Sequence, residues 1–95
     1  MIHSVIQVLP QKDYTVYVYF DDGKIKLYDM RPFIGKGIFQ KLSDIDDFMR
    51  KCTVMNNTLA WDVKGNYDPY KCIDIDPVQI YEKGKDVKDP LIHSA

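Results

Sequence analysis

The stretch from Tyr14 to Asp29 constrains this chain more than any other part of it. Tyr14-Thr15-Val16-Tyr17-Val18-Tyr19-Phe20 is almost wholly β-branched or aromatic, the residue types that suit a pleated surface. It runs into Asp21-Asp22-Gly23, after which Lys24-Ile25-Lys26-Leu27-Tyr28-Asp29 alternates polar and apolar residues. Asp-Gly between two such runs signals a hairpin, because a type I′ turn requires positive φ at both central positions. A turn centred on Asp22-Gly23 sets Phe20 opposite Ile25, Tyr19 opposite Lys26, Val18 opposite Leu27 and Tyr17 opposite Tyr28. That register collects Phe20, Val18, Ile25 and Leu27 on one face and Tyr17, Tyr19, Tyr28, Lys24 and Lys26 on the other. Successive strand side chains point to opposite faces, so a slip of one residue would undo the sorting.

The flanking segments extend this plan. Ile2 to Leu9 reads as a further strand closed by Pro10, which makes a three-stranded antiparallel meander the simplest arrangement. Met30 to Gly37 is a loop punctuated by Pro32, Gly35 and Gly37. Ser43 then reads as a helix N-cap, with Asp44, Asp46 and Asp47 in the first turn and Arg50 and Lys51 near the end, an order that complements the helix dipole. Ile45, Phe48, Met49 and Cys52 repeat at helical spacing as one apolar stripe. Asn56-Asn57 suits a second hairpin, because Asn tolerates positive φ; Cys52 then faces Trp61 and Val54 faces Leu59. Asp62 to Tyr70 is rich in turn residues, and Ile73-Asp74-Ile75 suits a short strand. Asp76-Pro77 is a cap and first-position pair for a helical turn over Val78 to Glu82. The expected fold is α+β: an antiparallel meander packed against one main helix, then a second hairpin and a short C-terminal helical turn. Residues 1–84 form the single domain in this reading, and 85–95 a flexible tail.

Composition narrows the function classes. A chain of 95 residues has room for one core, and 45% hydrophobic and 13% aromatic residues suffice to fill it. The net charge of -1 lacks the basic excess through which nucleic-acid binders neutralise phosphate. No apolar run is long enough to span a bilayer, and Met1 to Val5 does not begin a secretory signal. A cytoplasmic location with Cys52 and Cys72 as reduced thiols is therefore expected.

Motifs that carry chemistry are incomplete. Gly35-Lys36-Gly37-Ile38-Phe39-Gln40 starts like a dinucleotide fingerprint, but Gln40 replaces the third glycine and no βαβ unit surrounds it. His3, Cys52, Cys72 and His93 include the ligand types for zinc without the short paired spacings of structural sites. A calcium loop starting at Asp62 fails at Lys64 and again at Ile73. Asp74 and Asp76 point the same way on an extended segment, which permits a shared cation or acid/base work, although caps and solvated charges use the same residues. His3-Ser4 and His93-Ser94 lack a nucleophile elbow, and Cys52 falls on an apolar stripe where thiols are inert. No catalytic, cofactor or metal residue is assigned.

The Tyr17, Tyr19, Tyr28, Lys24 and Lys26 face remains as the candidate interaction surface. Tyrosine is enriched at protein interfaces, and aromatics beside cations on a sheet can stack nucleic-acid bases. A non-catalytic module binding a small protein through this face, or through a strand edge by β-augmentation, is the leading expectation. A nucleic-acid regulator using Lys24, Lys26, Arg31 and Lys36 is the alternative, and an enzyme working through Asp74 and Asp76 the third.

The chain also resembles the small bacterial proteins grouped as domain of unknown function 2442. The likeness runs from Val5 to Tyr81, through Phe20-Asp21-Asp22-Gly23, Tyr28-Asp29-Met30, then Phe39, Leu42 and Phe48. It closes on Leu59-Ala60-Trp61, Ile73-Asp74-Ile75-Asp76-Pro77 and Ile80-Tyr81. The resemblance implies a compact α+β domain with a meander on a helix and brings no catalytic residues. It also implies an arrangement beside a second small protein, like a toxin–antitoxin or regulatory pair. The Asp62 to Cys72 stretch is longer than the usual link in that family.

Overall fold

A computed structural model describes residues 3–91. In chain order the elements are β1 (Val5–Pro10), β2 (Thr15–Phe20), β3 (Ile25–Asp29), a 3-10 helix (Gly37–Leu42), α1 (Ile45–Lys51), β4 (Cys52–Met55), β5 (Thr58–Trp61), β6 (Ile73–Asp74), α2 (Pro77–Lys83) and β7 (Lys85–Asp86). They form an α+β domain with two antiparallel sheets, ordered β1-β2-β3-β7 and β4-β5-β6. The expected meander is present. Lys85–Asp86 extends it by pairing with Lys26 and Leu27, so these residues belong to the sheet and not to a tail. Residues 92–95 of the expected tail lie outside the described residues.

The first hairpin departs from the expected register by one residue. Tyr19 faces Ile25, Val18 faces Lys26, Tyr17 faces Leu27 and Val16 faces Tyr28. Only Gly23 takes a positive φ, at 89°, whereas a type I′ turn needs Asp22 there as well. The chain instead closes a three-residue loop, Asp21-Asp22-Gly23: the Gly23 amide donates to the Phe20 carbonyl and the Phe20 amide to that of Lys24. Asp22 Oδ1 accepts the Lys24 amide at 2.9 Å and braces the turn. The β1–β2 turn has the same construction, with the Tyr14 amide donating to Gln11 and the Gln11 amide to Thr15. There Tyr14 occupies the left-handed position, at φ 65°. Its ring packs 5.1 Å from that of Phe48, and its hydroxyl donates to the Ser43 carbonyl, contacts that offset the backbone strain.

The second hairpin keeps its expected register, Cys52 opposite Trp61 and Val54 opposite Leu59, with Asn56 and Asn57 both at positive φ. Helix α1 is capped one residue later than Ser43: Asp44 accepts the Asp46 amide, and Cys52 already belongs to β4. Asp76 caps α2 by accepting the Val78 amide, with Pro77 following as its first helical residue. The two helices are equally long, seven residues each, in place of one main helix and a turn.

The inner face of the meander carries Val16, Val18 and Phe20 into a core shared with Leu42, Phe48, Leu59, Trp61 and Ile80. The register also turns Lys26 inward, to 7% exposure. Its stem lies along the core, while its ammonium reaches Asp86 at 2.6 Å and stands 4.9 Å from the Tyr81 ring centroid. Both edges of the meander are protected. The ladder phase points the backbone of Val8 and Pro10 away from β2, and Pro10 has no amide to offer. A bulge at Ile6 breaks the β1 register, and the Val5 amide is bound to the Asn57 carbonyl at 2.9 Å. On the other side β7 is only two residues long.

Candidate interaction surface

The five residues of the expected Tyr/Lys surface do not share a face, because the longer turn displaces β3 by one position against β2. Tyr28 and Lys26 point inward and are buried, at 4% and 7% exposure. Lys24 is exposed at the hairpin end, opposite Phe20. Tyr17 and Tyr19 stay together on the outer face. Tyr19 is itself covered: Asp89, in the segment after β7, accepts its hydroxyl proton at 2.6 Å. Burial and that carboxylate push the Tyr19 phenol up to about 12.

What the register creates on the outer face is more apolar than the sequence suggested. Gln7 and Leu9 of β1, Thr15, Tyr17 and Tyr19 of β2, Ile25, Leu27 and, at its end, Asp29 of β3, and Lys85 of β7 alternate onto it. Leu9, Tyr17, Ile25 and Leu27 are each half-buried and lie on the side away from the core. Among the described residues, the segment following β7 returns over one end, through Asp89 on Tyr19 and the Val87 amide on the Ile25 carbonyl.

The remaining candidates are dispersed. Asp76 is occupied as the α2 cap, and exposed Asp74 accepts from the Asn56 side chain at 3.2 Å. Asp62 is buried and holds the following loop by accepting the Gly65 and Tyr67 amides. Gly35 takes positive φ in the turn before the 3-10 helix, and Gly37 does so as that helix's first residue. His3 stacks on Tyr81 at 3.7 Å between centroids, far along the chain from Cys52 and Cys72, and His93 lies outside the described residues. Arg31 is held by Asp29 through two 2.9 Å hydrogen bonds, so Lys24, Lys26, Arg31 and Lys36 do not gather as one patch of free cations.

Burial pushes the Cys52 thiol up to about 12, and it raises that of Cys72 with help from Asp74. A thiol-directed reagent at about pH 8 should label Cys72 at least roughly tenfold faster than Cys52 in the folded protein. Peptide mass spectrometry should show the two rates converging once the chain is unfolded in denaturant.

Two clefts open elsewhere. One, of about 310 Å³, is lined by Arg50, Lys51, Cys52, Thr53, Asp62, Gly65 and Tyr67. The other, of about 450 Å³, lies between the end of β3, the loop after it and α2. Sequence spacing could not have shown either, since each joins separate segments.

The order of the meander, the helix around Phe48, the Trp61 strand and the Asp76-Pro77 cap are now in place together. The family model described as protein of unknown function (DUF2442) matches residues 5–86. The chain belongs to the DUF2442 family. Neither the curated proteins nor the solved structures include a match to it. The DUF2442 match ends at Asp86, so it takes in β7 along with both sheets. Among the described residues, no helix is long and apolar enough to cross a membrane.

Proposed function

We propose that this DUF2442 domain is a non-catalytic interaction module that binds an amphipathic helix of a small protein partner across the outer face of its meander, as one member of a two-protein regulatory pair. The observation that carries this reading is the set of half-buried apolar residues Leu9, Tyr17, Ile25 and Leu27 on a face that no helix covers among the described residues. Strands are about 4.8 Å apart, so β1 to β3 spans roughly 10 Å, the width of one helix. Five residues of strand run about 17 Å, or roughly three helical turns. That footprint is well below the roughly 800 Å² per partner of a standard interface, so a bare face-to-face dimer is disfavoured and a helix partner needs contacts beyond the face as well. Strand addition is disfavoured too, because Pro10, the Ile6 bulge and the brevity of β7 leave no open ladder.

The test is affinity purification of the tagged chain from its native host, followed by NMR of the reconstituted pair. One stoichiometric small partner should be recovered, and the methyl signals of Leu9, Ile25 and Leu27 should shift on binding. The double variant Tyr17→Ser, Leu27→Ser should weaken the complex about a hundredfold while its far-UV circular dichroism stays native. Shifts confined to the β4-β5-β6 sheet, or full affinity in a folded double variant, would reject this face.

A further inference from the structure

A cleft beside β3 is separate from the residues proposed to hold a partner on the outer face. It is lined by Tyr28, Asp29, Pro32, Phe33, Gln79 and Lys83, and its volume of about 450 Å³ lies in the range of small-molecule sites. The Tyr28 and Phe33 rings lie nearly parallel, 12° apart in plane with centroids 6.3 Å apart. Tyr28 itself is 4% exposed, so the open aromatic surface of the cleft is that of half-buried Phe33. The polar groups around that surface are unequal. Asp29 is neutralised by Arg31 through two 2.9 Å hydrogen bonds. Lys83 makes no ion pair among the described residues. With Asp29 matched by Arg31, the cleft keeps the one positive charge of Lys83. The Tyr28 hydroxyl, part-buried at the cleft, accepts from exposed Gln79 Nε2 at 2.7 Å and donates to no described residue, so its proton is left for a ligand.

We propose that this cleft binds a small aromatic carboxylate, with its ring against Phe33 and its carboxylate held by the Tyr28 hydroxyl and the Lys83 ammonium. Burial raises the Tyr28 phenol above its ordinary value, so it remains a donor at neutral pH. An anion partly shielded inside the cleft gains more from a hydrogen bond than one in open water. Gln79 orients the hydroxyl and does not itself need to touch the ligand.

Phenylacetate and its neutral counterpart phenylacetamide are the probes, titrated into the full chain and followed by NMR. Phenylacetate should bind saturably, with shifts at Tyr28, Phe33 and Gln79, and about tenfold more tightly than phenylacetamide. Tyr28→Phe and Lys83→Gln should each weaken phenylacetate about tenfold and leave phenylacetamide unchanged. Tyr17→Ser, which alters only the outer face, should leave phenylacetate binding intact, so this site and the partner face fail or succeed separately. Equal affinity for the acid and the amide would overturn the proposal. So would shifts centred on the Arg50, Lys51 and Tyr67 cleft, or an absence of saturation in a folded protein.

Discussion

Trp61→Ala should lower the stability of the domain by about 3–5 kcal/mol, a large fraction of the total for a chain this size. Trp61 is fully buried, its ring centroid is 5.4 Å from that of Phe48, and its indole donates to the Phe48 carbonyl at 3.0 Å. It pairs with Cys52 on one side and Ile73 on the other, so the second sheet and α1 meet at this one side chain. The loss corresponds to a fall in Tm of roughly 15–30 °C, measurable by far-UV circular dichroism. Trp61→Phe separates volume from hydrogen bonding: it keeps most of the ring contact but deprives the Phe48 carbonyl of its indole donor, and should cost about 1–3 kcal/mol. A loss below about 1 kcal/mol for the alanine variant would contradict this account of the core.

Gly84→Ala is expected to cost about 2–3 kcal/mol, although nothing in the backbone angles forbids alanine. Gly84 has φ -68° and ψ 153°, values open to any residue. The obstacle is space, because a Cβ there would stand 2.6 Å from the Ile80 carbonyl oxygen and 2.8 Å from Lys26 Cβ. Neither neighbour is the loose end of a side chain, so the end of α2 must lift away from β3. That shift also strains the Lys26–Asp86 contact and the β7 pairing. Gly65→Ala is the contrasting case. Gly65 is left-handed at φ 75° with nothing near its would-be Cβ, and the substitution should cost only the backbone strain, about 1–2 kcal/mol. Urea denaturation of the two variants distinguishes crowding from strain.

The two hairpins show where local sequence suffices and where it fails. Asn56 and Asn57 both adopt the left-handed conformation, at φ 55° and 61°, so the turn and the register beyond it follow from the two residues themselves. Asp22-Gly23 looks equivalent in sequence, yet only Gly23 turns left-handed, and the extra loop residue exchanges which side chains share a face. Lys26 made the expected register attractive, since a charged residue reads as solvent-facing. In the folded chain it is the partner of Asp86, a contact between residues sixty positions apart. The caps at Asp44 and Asp76 and the helix around Phe48 are local, and they are legible apart from a one-residue shift at Ser43. The outer face is half legible: Tyr17 belongs to the expected surface, while Leu9, Ile25 and Leu27 join it only through the true register. The β3 cleft was not legible at all, because Phe33 and Gln79 come together with Tyr28 only when α2 docks.

The proline and bulge at the rim of β1 bear on how the protein behaves when it is crowded. Fibre growth by sheet proteins requires each molecule to offer the next an unbroken row of backbone donors and acceptors. Here Pro10 and Ile6 interrupt that row on one border, and two-residue β7 shortens it on the other. A greasy surface therefore sits on a sheet whose own borders resist strand-by-strand growth, which separates burying that face against a partner from extending the sheet.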